Sequence, residues 1–158
     1  MFSYKKNLMR VVIQRVSKAS VEINQKIYAE IKEGLLILVG IENEDTHDDA
    51  KWLTSKISQL RIFDDENGIM NKSVMDIDGE ILAISQFTLH AQTKKGNRPS
   101  YIKAAKHEIS LPLYDEFCKI LSDKMKKEVK KGIFGADMKV DLRNNGPVTI
   151  LMDSKNKE

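Results

Sequence analysis

The sequence is poor in the residues that usually announce a chemistry. It has one cysteine, Cys118, so no disulfide can form within the chain. In an apolar helical pattern, that residue reads as a small core side chain in a reducing compartment. The three histidines, His47, His90 and His107, stand far apart. No His-Glu-x-x-His or Cys-x-x-Cys pattern occurs, so neither a metal site nor a cofactor is expected. There is no Gly-x-Ser-x-Gly elbow and no Walker-type loop. Aromatic residues make up 6 % and do not interleave with basic ones, which excludes a long stacking platform. No apolar run approaches the length that spans a bilayer. The apolar run from Met9 is broken by Gln14 and Arg15, too early for a signal peptide. The expectation is a cytoplasmic protein with no membrane partner.

What remains is ordinary for a folded domain. A chain of 158 residues suits a single domain, and 41 % apolar residues suffice for its core. The balance of 26 basic to 23 acidic residues gives net +3. That suits a partner carrying phosphates without requiring one.

The run from Arg10 to Val16 reads as a β-branched strand. Val21-Glu22-Ile23 and Ile27 to Ile31 alternate around Asn24-Gln25-Lys26, a hairpin pattern. Leu35 to Ile41 is apolar throughout, as expected of a strand buried on both faces. Thr46 with Asp49 has capping-box spacing, and Ala50, Leu53, Ile57 and Leu60 form the stripe of a first helix. Asp64 to Gly68 is a turn, and Asp78-Gly79 leads into a strand ending at Ser85. Ser110 suits the cap of a second helix, with Pro112 in its first turn and Gly132 at its end. Its lysines Lys124, Lys126, Lys127, Lys130 and Lys131 would then favour the helix dipole. Two further strands flank Gly146-Pro147. The fold class is mixed α+β, with two packed sheets and helices on one face.

Three stretches invite a functional reading. Ser85, Gln86 and Thr88 are polar groups at the end of a buried strand. They either bond the nearby backbone, or make Thr88 a nucleophile that lacks a visible base, or supply donors to an oxyanion. His90, just beyond, is a weaker general-base candidate. Lys94 to Pro99 is a basic loop, either solvated or touching phosphates. Gly146-Pro147 within strand-like sequence is either a hairpin turn or a rigid fixture whose carbonyls are aimed at something.

Taken together, Ser85-Gln86-Phe87-Thr88-Leu89, Lys95 to Ser100, Gly132 to Met138 and Gly146-Pro147-Val148-Thr149 resemble the D-aminoacyl-tRNA deacylase family. The opening Met9 to Val16 is similar too, and the resemblance runs to about Asp153. It implies a three-layer, barrel-like fold, a homodimer and an aminoacyl-tRNA 3′ end as partner. The implied reaction is hydrolysis of the ester joining a D-amino acid, or glycine, to the terminal adenosine, with the RNA 2′-hydroxyl taking part. By the same resemblance, Ser85, Gln86, Phe87 and Thr88 line the ester, with the Phe87 N–H as oxyanion donor. Phe134, Gly135 and Met138 pack on the adenine. Gly146 and Pro147, joined by a cis bond, enter the other subunit's site and select chirality, and Arg15 holds them. Asn145 departs from the family's usual aspartate but keeps its turn hydrogen bonding. Because the resemblance begins at Met9, residues 1–8 are expected to be a mobile N-terminal extension to a single domain, 9–158. Rival readings are a deacylase for another residue such as L-alanine, a non-catalytic RNA-binding module, and a peptidase using Thr88.

Overall fold

The structure is a computed structural model that describes residues 9–158. The extension expected for residues 1–8 lies outside the described residues. The organising element is β1, Arg10–Ile23, a strand of 14 residues. A two-residue turn joins it to β2, Lys26–Ile31. Asn24 and Gln25 both have positive φ, 52° and 66°, as a tight hairpin with right-handed twist requires. β3, Gly34–Gly40, pairs antiparallel with the first half of β1, and β2 pairs with the second half. The final strand β8, Lys139–Asp153, runs antiparallel along nearly all of β1.

After β3 the chain forms α1, His47–Gln59, and a small ribbon of β4, Phe63–Asp64, with β5, Met70–Lys72. It returns as β6, Glu80–Ser85, parallel to β3. A parallel pair needs such a crossover, and both partners are buried on both faces, which explains their unbroken apolar sequences. α2, His107–Met125, follows, and β7, Lys130–Lys131, adds a parallel edge to β6. The two sheets expected from the sequence are thus one curled, barrel-like sheet of six strands plus the β4–β5 ribbon. The long β1 serves both halves. The larger apolar cluster joins Val11, Ile13, Leu35 and Ile37 to Leu53, Ile57, Tyr114 and Phe117 of the helices. The smaller lies among Val16, Val21, Leu36, Leu82 and Ile84.

The first helix begins as its sequence suggests: the Asp49 carboxylate accepts the Thr46 N–H at 2.8 Å. The second does not. Its cap is Lys106, and Ser110 lies inside the first turn, its hydroxyl donating to the Lys106 carbonyl at 3.0 Å. It stops at Met125 because Lys126 turns left-handed, φ 53°, well before Gly132. Most of the lysines assigned to its dipole lie beyond it. Lys127, Lys130 and Lys131 instead meet the carboxylates of Asp78, Glu80 and Asp115.

Candidate functional site

β3 and β6 run parallel with Val39 level with Ser85, so their carboxyl ends open side by side. Open α/β sheets place ligands at such ends. A cavity of about 330 Å³ lies there. Ser85, Gln86 and Phe87 form one wall, and Phe134, Gly135 and Met138 form another. Six of the residues singled out in the sequence therefore converge, although some fifty positions separate the two groups.

The local geometry explains each placement. Strand β6 ends at Ser85, and Phe87–His90 is a short 3-10 turn. The strand's alternation of faces therefore stops at Ser85 and does not extend to Gln86, Phe87 and Thr88. Instead, the Gln86 amide donates to the Thr88 hydroxyl at 2.6 Å. Thr88 does not line the cavity. The turn is fixed on three sides. The Gln86 N–H donates to the Val39 carbonyl at 2.8 Å. Arg10 Nη1 donates to the Leu89 carbonyl at 2.8 Å, while its Nε meets Asp153 at 2.8 Å. His90 is buried, with Nδ1 3.0 Å from Glu42 Oε1. His90 is no part of the cavity wall, so the geometry gives it the role of holding the turn rather than of a general base. Being first in the turn, the Phe87 N–H has no carbonyl behind it there to bond.

The opposite wall is held by aromatics. Phe134 sits edge-on to His107 at 5.1 Å and tilted against Tyr114 at 5.9 Å between ring centroids. The Tyr114 hydroxyl donates to the Ala83 carbonyl at 2.7 Å, which locks α2 to β6. Burial pushes the ionisation of that phenol upward. Gly135 has φ +78°, and a side chain at Gly132 would run into the Met138 sulfur. The one carboxylate on the wall, Asp137, is paired with Lys139 at 3.0 Å. Sequence reasoning missed Val39, Ile41, Ala105, Ser110 and Val140, which also line the cavity. Their only signal was apolar or small character at element ends.

Gly146 and Pro147 stand elsewhere. On β1 a single residue, Arg15, separates Gln14 from Val16, whereas four residues separate their partners Asn144 and Thr149 on β8. Asn145 to Val148 therefore bulges out of the ladder. Arg15, only 8 % exposed, reaches under the bulge and donates from Nε to the Asn145 carbonyl at 2.9 Å. Its Nη1 donates to the Ile62 carbonyl at 2.7 Å. The Gly146–Pro147 bond is cis, Gly146 has φ +132°, and both residues are exposed. Neither lines this chain's own cavity. Among the described residues, no three histidine, cysteine, aspartate or glutamate side chains gather so as to hold a metal ion.

The family model described as D-Tyr-tRNA(Tyr) deacylase matches residues 12–153. The chain belongs to that family. It is 67 % identical over 150 residues to the D-aminoacyl-tRNA deacylase of Phocaeicola vulgatus, covering 95 % of this chain and 100 % of the relative. The protein of the same name from Flavobacterium johnsoniae is 61 % identical over the same coverage. A solved structure named c-Myc DNA Unwinding Element Binding Protein has 40 % identity and a TM-score of 0.87, with 91 % of this chain and 97 % of that one covered. Another, described as a probable eukaryotic D-amino acid tRNA deacylase, has 16 % identity and a TM-score of 0.80, covering 92 % and 99 %; it speaks to the fold alone. Membership makes this protein an enzyme, a hydrolase of the deacylase kind. No helix among the described residues is long and apolar enough to cross a membrane.

Proposed function

We propose that this protein edits mischarged tRNA in the cytoplasm, cleaving the ester between a D-amino acid, or glycine, and the terminal adenosine. The observation that carries this reading is the convergence of Ser85-Gln86-Phe87 with Phe134-Gly135-Met138 around one cavity. The second group offers apolar surface for a base, and the first offers donors for an ester. The wall's one carboxylate, Asp137, is paired with Lys139, the Ser110 hydroxyl donates to the Lys106 carbonyl, and Thr88 stands off the wall, turned to Gln86.

The chemistry asks little of the protein. An aminoacyl ester is already activated, and the neighbouring 2′-hydroxyl of the adenosine lies next to it. The protein fixes the adenosine and aims the Phe87 N–H at the carbonyl oxygen, where charge develops as water adds. Positioning can supply much of a rate enhancement without a side-chain acid or base.

Chirality is read by Gly146 and Pro147 of a second copy, in a two-fold dimer. D and L residues differ by exchange of two substituents at one carbon, so a fixed obstacle discriminates better than attraction. The exposure of the pair and its distance from its own chain's cavity wall suit delivery to a partner. Arg15, buried beneath it, supplies the rigidity.

The test is a panel of D-tyrosyl-tRNA, L-tyrosyl-tRNA, glycyl-tRNA and a D-tyrosyl peptide. Only the D-tyrosyl and glycyl esters should lose their amino acid. Replacing the terminal 2′-hydroxyl by hydrogen, with the amino acid on the 3′ position, should nearly abolish turnover. Cleavage of the L-ester at a similar rate, or undiminished cleavage of the deoxy substrate, refutes the corresponding part. A role in nucleic-acid binding alone would leave every ester intact; the 40 %-identical structure is named for binding a DNA element.

A further inference from the structure

The segment from Ala91 to Lys106 carries five cations, Lys94, Lys95, Arg98, Lys103 and Lys106, and no carboxylate. Removing those five from the 26 basic residues leaves 21 against 23 acidic ones, so this stretch alone is enough to turn the sign of the net charge. Among the described residues, none of the five side chains has an ion-pair partner. The lysines that follow α2 behave differently, since Lys127, Lys130 and Lys131 are each met by a carboxylate. Unpaired like charges gathered on one loop repel each other, and their concentration is what a polyanion would relieve.

The segment is attached to the cavity at both ends. It leaves from the 3-10 turn that carries Phe87 and returns at Ala105, which lines the cavity and donates its N–H to the Ile41 carbonyl at 2.9 Å. Between them, Gln92 and Ser100 exchange backbone hydrogen bonds of 2.8 and 2.9 Å. These close a loop with Lys94, Lys95 and Arg98 at its tip. Just past the closure, Tyr101 meets Phe87 edge-on, ring centroids 5.1 Å apart. Both rings are open to solvent, 41 % and 56 % exposed, and Ile102 beside them is 78 % exposed. An aromatic pair left this open next to unpaired cations has the two parts of a single-strand site: a face for a base and charges for the backbone.

We propose that this loop and the Phe87–Tyr101 pair form a subsite for single-stranded RNA. It would hold the nucleotides that precede the terminal adenosine as the strand leaves the cavity. The inference rests on the cavity taking the terminal adenosine. Tyr101 offers its face to a base, and Lys94, Lys95 and Arg98 neutralise phosphates. Since phosphate contacts carry no sequence information, the loop supplies affinity without choosing a tRNA.

The test separates binding from hydrolysis. Fluorescence anisotropy would follow the intact protein with two RNA hairpins, one blunt and one with a four-nucleotide single-stranded 3′ overhang. The overhang should bind at least tenfold more tightly at low salt. The triple substitution Lys94→Gln, Lys95→Gln, Arg98→Gln should remove that preference. It should also flatten the slope of log affinity against log salt by about 2, from roughly 0.7 for each lost single-strand phosphate contact. Tyr101→Ala should weaken overhang binding with little change in slope. In kinetics, the triple variant should raise KM for D-tyrosyl-tRNA and reduce its kcat/KM advantage over D-tyrosyl-adenosine about tenfold. Equal binding of both hairpins, or an unchanged slope in a triple variant that melts normally, overturns the subsite. If the binding pattern holds but no ester is cleaved, the subsite stands and the proposed reaction falls.

Discussion

Gly40→Ala is the substitution that most directly couples packing to the site. Gly40 ends β3, against the back of the turn that carries Gln86 to His90. A Cβ at this position would lie 2.9 Å from Leu89 Cβ, 3.1 Å from the Gln86 carbonyl oxygen and 3.1 Å from His90 Cδ2. Ordinary contact begins near 3.4 Å, so the turn must retreat by 0.3 to 0.5 Å. It cannot do so freely. The Gln86 N–H, the Leu89 carbonyl and the His90 imidazole are tied to Val39, Arg10 and Glu42 at 2.8, 2.8 and 3.0 Å. Overpacking of this kind typically destabilises by about 1–3 kcal/mol. In a chain of this length each kcal/mol lowers Tm by roughly 2–4 °C. The same displacement moves the Phe87 N–H away from its target. A misplacement of about 1 Å can lower a rate a hundredfold, so half of that suggests a loss of about tenfold.

The control for Gly40 is Gly79→Ala, at the far end of β6. Its Cβ would meet Val74 Cγ2 at 3.0 Å and the Glu33 carbonyl oxygen at 3.2 Å, a comparable crowding. Both variants would be compared by thermal melting and by D-tyrosyl-tRNA hydrolysis at 25 °C. The expected outcome is a similar fall in Tm but lost activity only for Gly40→Ala. Wild-type activity in that variant, or equal losses in both, would refute the argument.

Further outcomes follow from other parts of the structure. Thr88→Ala should retain substantial activity, because Thr88 contacts Gln86 and stands off the cavity wall; a loss of several orders of magnitude with normal binding would make it a covalent catalyst. Asp45 should make stability depend on pH. Burial pushes its carboxyl up to about 6 from 3.8 despite the Glu42 N–H and Lys155, so the folded chain holds this proton more tightly than the unfolded one. Its contribution is therefore most favourable below about pH 4 and declines as pH rises to 6, by at most about 3 kcal/mol. Asp45→Asn, which can still accept the Glu42 N–H, should abolish that decline, and parallel denaturation curves for variant and wild type from pH 4 to 7 would disprove it. Finally, mixing a subunit defective in Gly146 and Pro147 with one defective in Gln86 should restore one working site per heterodimer; heterodimers without activity would exclude the shared site.

The elements legible in the sequence are those whose signal is local. The turn at Asn24-Gln25-Lys26, the Thr46–Asp49 box and the apolar stripe of α1 each depend on neighbours within a few residues, and each stands within a residue of where its pattern put it: Lys26 already belongs to β2, and Leu60 caps α1. Helix α2 shows the limit of such signals. Serine and proline mark a helix start by preference, but the extended backbone of Lys106 begins this one, and Ser110 is used inside the first turn. At the other end, a non-glycine residue takes the left-handed conformation, so the glycine signal at Gly132 misleads. There the absent side chain makes room for the Met138 sulfur instead.

The candidate site was legible as residues but not as a place. Motifs named Ser85 to Phe87 and Phe134 to Met138, yet no periodicity states that their segments meet. Their meeting depends on the register of two parallel strands. Val39 must fall level with Ser85, which sets the end of β3 beside the end of β6. A side chain at Gly34 would collide with the Glu80 carbonyl, so the absence of one lets the strands approach where that register begins. Val39, Ile41 and Ala105 enter the wall through that same alignment, and as isolated apolar residues they carry no chemistry to flag them. The bulge at Asn145 to Val148 is the reverse case. Its glycine and proline were conspicuous, but only the pairing of β1 with β8 reveals that one residue faces four. It also reveals that the arginine at that point, Arg15, is buried beneath the exposed pair. An arginine in a strand is commonplace in sequence; its meaning comes from the carbonyls of Asn145 and Ile62, which the fold brings to its two ends.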